Sequence, residues 1–104
     1  MKIFRDEKLL EQIHNEQPFD FGIVEAGSSK RFRYYLMNDS KCHLRELKFK
    51  FAHPELFILN SPKEMMPESK GILEVEWRPS VDIEESLEAT ILIEGIRVTI
   101  RKSL

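Results

Sequence analysis

The sequence predicts an all-β fold: an antiparallel two-sheet sandwich of about seven strands, preceded by a short N-terminal helix or arm. Apolar and polar residues alternate with a period of two in most runs beyond Phe19, as expected for strands with one buried and one wet face. Clusters of turn-forming residues separate those runs. The chain has 104 residues, 41% of them hydrophobic, which suits one domain with a core of its own and excludes a disordered chain. A small closed barrel is the alternative closure of the same pattern.

Residues 1–18 differ from the rest and form the predicted arm, with residues 19–104 as the sandwich. Leu9, Leu10 and Ile13 lie at helical spacing after Asp6, a plausible N-cap, and Pro18 ends the segment. Phe19 to Val24 is the first strand candidate, closed by Ala26-Gly27-Ser28. Ser29 to Asn38 follows, with Phe32, Tyr34 and Leu36 on one face and Arg31, Arg33, Tyr35 and Met37 on the other. Arg45 to Phe51 sets Leu47, Phe49 and Phe51 against Glu46, Lys48 and Lys50. A shorter run spans Leu56 to Leu59, and Leu73, Val75 and Trp77 then alternate with Glu74, Glu76 and Arg78. Leu87, Ala89, Ile91 and Ile93 alternate with Glu88, Thr90, Leu92 and Glu94. Glu94-Gly95 reads as a tight hairpin into a last strand in which Ile96, Val98 and Ile100 alternate with Arg97, Thr99 and Arg101.

Composition limits the function classes. No apolar run approaches the roughly 20 residues that span a bilayer. The N-terminus mixes charges with apolar residues and lacks a secretion core, so the expected location is the cytoplasm or a virion. The single cysteine, Cys42, cannot form an internal disulfide. Metal binding needs paired ligands at short spacing, whereas Cys42 and His43 are adjacent and would point to opposite faces of a strand, and His14 and His53 have no spaced partner. Serines fall mostly in turn-like segments, the four glycines are isolated, and the acidic pairs Glu74/Glu76 and Glu84-Glu85 fall on predicted solvent faces. The expectation is a protein that is not an enzyme and uses no cofactor and no metal.

The net charge of -2 hides an uneven distribution. Residues 1–27 carry 3 basic and 6 acidic side chains, residues 28–53 carry 7 and 2, and residues 54–104 carry 6 and 10. The basic middle segment, residues 30–50, can be read as a phosphate or nucleic-acid patch. It can also be read as cations neutralised across strands, Arg31 and Arg33 by Glu74 and Glu76, and Lys48 and Lys50 by Glu88 and Glu94. The second reading accounts for the charges without a ligand.

Several of these elements form a familiar series. Phe19-Asp20-Phe21-Gly22-Ile23-Val24 resembles the opening element of ASH-type domains, which belong with the major-sperm-protein and PapD-like group of immunoglobulin-like sandwiches. Leu36-Met37-Asn38 is similar to that family's second-strand close, Val75-Glu76-Trp77-Arg78-Pro79 to a later strand end, and Ala89 to Gly95 to its penultimate strand. The resemblance covers residues 19–100 and implies an immunoglobulin-like β-sandwich with a binding role and no catalysis.

The function expected is therefore a structural or protein-binding module that docks onto a larger assembly, with a virion component (a phage head or tail protein) as the first setting. A cytoplasmic or cytoskeletal adaptor gripping a short peptide is the alternative, and nucleic-acid binding through residues 30–50 is a third reading. The predicted contact surface is the arm, through Ile3, Phe4, Leu9, Leu10 and Ile13, which must bury its apolar face on its own sandwich or on a neighbour. Tyr35, Met65, Met66, Arg97 and Arg101 are candidates for a secondary contact.

Overall fold

The computed structural model describes residues 1–14, 17–23, 27–80 and 87–99. They form nine strands: β1 (Lys2–Phe4), β2 (Gln12–Ile13), β3 (Phe19–Asp20), β4 (Lys30–Met37), β5 (Cys42–Phe51), β6 (Leu56–Asn60), β7 (Lys70–Trp77), β8 (Glu88–Ala89) and β9 (Ile91–Thr99). Every strand pair is antiparallel, in three separate sheets: five strands in the order β2-β1-β4-β7-β6, and the two-stranded sheets β3-β8 and β5-β9.

This architecture corrects the predicted immunoglobulin-like β-sandwich. The fold is all-β, but its sheets do not close into one sandwich. The cause lies in two very short strands. Phe19 pairs with Ala89 and Asp20 with Glu88, and two residues later the chain has changed partner, Ile91 lying opposite Phe51. Thr90, at that switch, accepts a hydrogen bond from the Ala52 N–H at 3.4 Å.

The centre is the β4–β7 pair, eight residues in continuous register from Lys30 opposite Trp77 to Met37 opposite Lys70. Its alternation follows the sequence: Leu36, Leu73, Val75 and Trp77 are fully buried on the inner face. On the outer face Arg31 lies opposite Glu76 and Arg33 opposite Glu74.

The predicted N-terminal helix is also overturned, and the described residues contain no helix. Residues 2–13 instead form a hairpin added to the edge of β4, with Ile3 opposite Leu36 and Phe4 opposite Tyr35. Asp6 uses its carboxylate as an N-cap would, accepting the N–H groups of Leu10 at 3.0 Å and Glu11 at 2.7 Å, but it closes a turn. Leu9 has φ of 59°, the left-handed region, which a continuing α-helix does not allow.

A third correction concerns Gly95. It is not a hairpin turn but sits inside β9, opposite the place where β5 shifts register between Arg45 and Lys48. The shift is a β-bulge, and it has a packing reason. Leu44 lies an odd number of positions from Leu47, Phe49 and Phe51, yet all four are buried. One extra residue restores the phase, and Glu46 takes it up with φ of 51°. A Cβ on Gly95 would stand 2.8 Å from Leu47 Cδ2 and 3.2 Å from the Arg45 carbonyl oxygen. Gly95→Val is therefore expected to destabilise the fold by about 1–3 kcal/mol, measured by urea unfolding. A stability within error of the parent protein would contradict the crowding argument.

Candidate functional site

The structure divides the expected contact residues between core and solvent. Ile3 and Ile13 face inward and belong to the chain's own hydrophobic core, together with Phe19, Leu36 and Phe49. Phe4 is buried as well, but on the other face of the hairpin and outside that cluster. Leu9 is half-buried beside Tyr35 and Ile72, where a cavity of about 380 Å³ opens on the outer face of the five-stranded sheet. Leu10 stands at the tip of the turn with 77% of its surface exposed. Met65 is buried and Met66 exposed, although they are neighbours. Arg97 is exposed on β9. Arg101 lies outside the described residues.

The two methionines part because Met65 forms a bridge with Leu44: their N–H and C=O groups exchange hydrogen bonds of 2.9 and 2.8 Å. Leu47 N–H adds one to the Lys63 carbonyl at 2.9 Å. Segment 63–65 thus occupies one edge of β5 while β9 occupies the other. Asn38, fully buried, holds this corner: its Nδ2 donates to the carbonyls of Cys42 at 2.9 Å, Met65 at 3.2 Å and Met66 at 3.0 Å.

The charged outer face of the large sheet is largely self-neutralised. Glu76 is almost fully buried between Arg31, whose Nε donates at 3.1 Å, and Arg78, whose Nε donates to its other oxygen. The Arg78 guanidinium lies 4.3 Å from the centroid of the Phe57 ring. Arg33 reaches Glu74 at 3.8 Å. Hydrogen bonds from Arg78 and Arg31 hold the Glu76 carboxyl below the ordinary glutamate value. Glu55 is held low in the same way, chiefly by the Ser80 hydroxyl and N–H.

The β5–β9 ribbon is different. Its outward face sets basic residues of β5 beside a strand of β9 that is aliphatic except at Glu94: His43 opposite Val98, Arg45 opposite Ile96, Lys48 opposite Glu94 and Lys50 opposite Leu92. Leu92 is 56% and Ile96 50% exposed. Among the described residues Arg45, Lys48 and Lys50 make no ion pair within 4.0 Å, and β9 has no hydrogen-bonded neighbour other than β5. Sequence reasoning noted Leu92 as outward but placed a turn at Gly95, so it split this face between two strands.

No three His, Cys, Asp or Glu side chains gather as a metal-ligand group among the described residues. His43 Nε2 faces Glu64 at 3.2 Å, and His53 Nδ1 accepts the Glu55 N–H at 3.2 Å. Among the described residues no helix is long and apolar enough to cross a membrane. Comparison with protein-family models, with curated proteins and with solved structures returns no match. With the three open sheets, this removes the support for the ASH-type immunoglobulin-like reading and for the virion and phage association drawn from it.

Two outcomes follow. Ile13→Ala is expected to cost about 2–4 kcal/mol of folding stability, by cavity formation, and Leu10→Ala about 0.5 kcal/mol or less, in parallel urea titrations. Equal losses would contradict the division of the hairpin into a core face and a solvent tip. The depressed Glu76 carboxyl favours the folded state above its unfolded pKa, near 4.5, and that contribution disappears as pH falls through the lower folded value. Carboxyl-carbon NMR titration is expected to give a Glu76 midpoint below 4.5, rising towards it when Arg31 and Arg78 are both changed to Gln.

Proposed function

We propose that this chain is a non-enzymatic protein-binding module that docks onto a larger assembly. The observation that carries the reading is the outward face of β9: Leu92, Ile96 and Val98 stand exposed along it, with Glu94 between the first two, on a strand whose second edge pairs with nothing among the described residues. Scattered exposed apolar side chains are ordinary, but a row of them along an open strand edge is a template for another chain. The hairpin supports a division of labour. Its inward residues serve the core, and Leu10 at its tip is the exposed apolar residue of the hairpin that can add to a contact.

A nucleic-acid role has less support. Arg31 and Arg33 are already paired with Glu76 and Glu74. On β5, Arg45 and Lys50 lie beside Ile96 and Leu92 and Lys48 beside Glu94, whereas single strands are bound by stacking bases on aromatics. Phe49 and Phe51 of the same strand are buried.

Native mass measurement on the protein recovered from its own source tests the proposal. A species well above the chain's own 12.3 kDa, dissociating when Ile96 and Val98 are changed to Ser and Thr, is the expected result. A free monomer at every concentration reached in the source would overturn it.

A further inference from the structure

The layers of this fold stay open along one flank, and the opening is lined for a strand. Two adjoining cavities, of about 210 and 280 Å³, share Met1 and Ile93 and run beside β9 from Thr90 to Arg97. One wall is the hairpin, through Met1, Ile3 and Ile13. The other is the inner face of the ribbon, through Ile91, Ile93, Leu44 and Leu47. Among the described residues, the strands bordering this groove both end their sheets: β2 pairs only with β1, and β9 only with β5. The groove therefore offers an apolar floor, edged by His14, Gln17, Thr90, Glu94 and Arg97, together with unpaired main-chain groups, the two things a strand adding to a sheet requires.

Charge decides what kind of strand fits. The ribbon bordering the groove carries Arg45, Lys48, Lys50 and Arg97 against Glu46 and Glu94, and none of the four cations has an ion-pair partner among the described residues. Arg97 itself lines the end of the groove. A strand added to β9 lies two strand spacings from β5, roughly 10 Å, within reach of lysine side chains.

We infer that the groove between β9 and the β1–β2 hairpin binds an extended segment of a partner protein, with apolar residues on alternate positions and glutamates between them. The apolar residues fill the floor. The glutamate methylenes cover Leu92 and Ile96, and their carboxylates meet Lys48 and Lys50 on the same outward face, while Arg97 stands on the inner face at the end of the floor. The groove, from Thr90 to Arg97, accepts a segment of about six to eight residues at ~3.3 Å per residue. A second copy of this chain fits less well, since its β9 would bring Arg97 and a neighbouring basic strand against the same cations. This inference rests on the protein-binding reading and narrows it to one partner chemistry.

The test uses the full chain and two soluble peptides of about eight residues, matched to the groove length, with valine and isoleucine at alternate positions. Glutamates stand between them in one peptide and lysines in the other. Calorimetric titration at low and moderate salt is paired with amide hydrogen exchange. The expected result is at least tenfold tighter binding of the glutamate peptide, weakened by salt, with exchange slowed at alternate amides of β9. The double variant Lys48→Glu/Lys50→Glu, altered only at exposed positions, is expected to fold normally and to lose that preference.

Four results would overturn the inference. They are no binding of either peptide at millimolar concentration, equal binding of both, a concentration-dependent dimer protecting the same β9 amides, and displacement of the glutamate peptide by a generic oligonucleotide. Should peptide binding fail while the chain still travels in a large complex, the groove assignment falls and the protein-binding reading stands. A chain that is also monomeric in its source overturns both.

Discussion

Three sheets that share no hydrogen-bonded strand must be joined by side chains, and here the principal joint is aromatic. Phe19 of β3 meets Tyr34 of the five-stranded sheet edge-on at 4.8 Å between centroids, and Phe51 of β5 edge-on at 5.1 Å. Phe21, two residues on, repeats the contact with Phe51 at 5.4 Å and reaches Phe32 of β4 at 5.0 Å. One short segment thus touches all three sheets. Edge-on aromatic pairs contribute roughly 0.5–1.5 kcal/mol each beyond the area they bury. This explains how a strand of only two residues can matter so much: β3 contributes little as a ladder, but the segment it opens, Phe19 to Phe21, carries two rings. The burial that packs these rings also pushes the Tyr34 phenol well above its ordinary pKa, so this ring stays neutral at the core.

The joint also explains where the molecule is open. The aromatic cluster holds the layers together at the Phe51 end of β5. Towards its Cys42 end, segment 63–65 takes the second edge of β5 through Met65 and Lys63, and Asn38 fixes that segment to the β4 terminus. Both devices act on β5, and neither reaches the far edge of β9. The hairpin β1–β2 extends the large sheet on the same side but contributes only two residues in β2. The flank between β2 and β9 is the place that both layers leave unclosed.

The central elements were legible in the sequence because their chemistry is local. Leu73, Val75 and Trp77 alternate with charged residues without interruption, and the β4–β7 register puts Arg31 and Arg33 opposite Glu76 and Glu74. The N-terminal segment misled because two periods coexist in it. Leu9, Leu10 and Ile13 sit at helical spacing, but Leu9 belongs to a turn organised by Asp6 and Ile13 to a strand. Gly95 misled for a subtler reason. Glycine before alternating residues signals a hairpin turn, but it equally signals a place where another backbone comes close, and the bulge at Glu46 makes the second meaning the operative one. The Leu44 phase break was visible, yet its opposite number on β9 could be assigned only once the pairing was known. The groove could not be read at all from a single chain's pattern, because its two walls are contributed by residues some 80 to 90 positions apart, Ile3 and Ile13 against Ile91 and Ile93.

That separation has a mechanical consequence. Four of the most deeply buried residues, Leu36, Leu73, Val75 and Trp77, lie on the β4–β7 pair, at the heart of the large sheet. The ribbon's outer half is poorer in such contacts: from Glu94 to Thr99 every residue of β9 is exposed. Local opening free energies follow buried contact, so the half of β9 beyond Gly95 opens more readily than the β4–β7 pair. A two-stranded ribbon is marginal in water unless its face is covered or its edge is paired. The exposed aliphatics, the uncovered edge and the low local stability therefore have one origin, a ribbon that lacks a hydrogen-bonded neighbour on its β9 side among the described residues. A strand docking there would supply main-chain partners and apolar cover together, while the aromatic joint and the central pair stay as they are. In the proposed reading, the surface assigned to recognition is also the part whose order a partner can most readily increase.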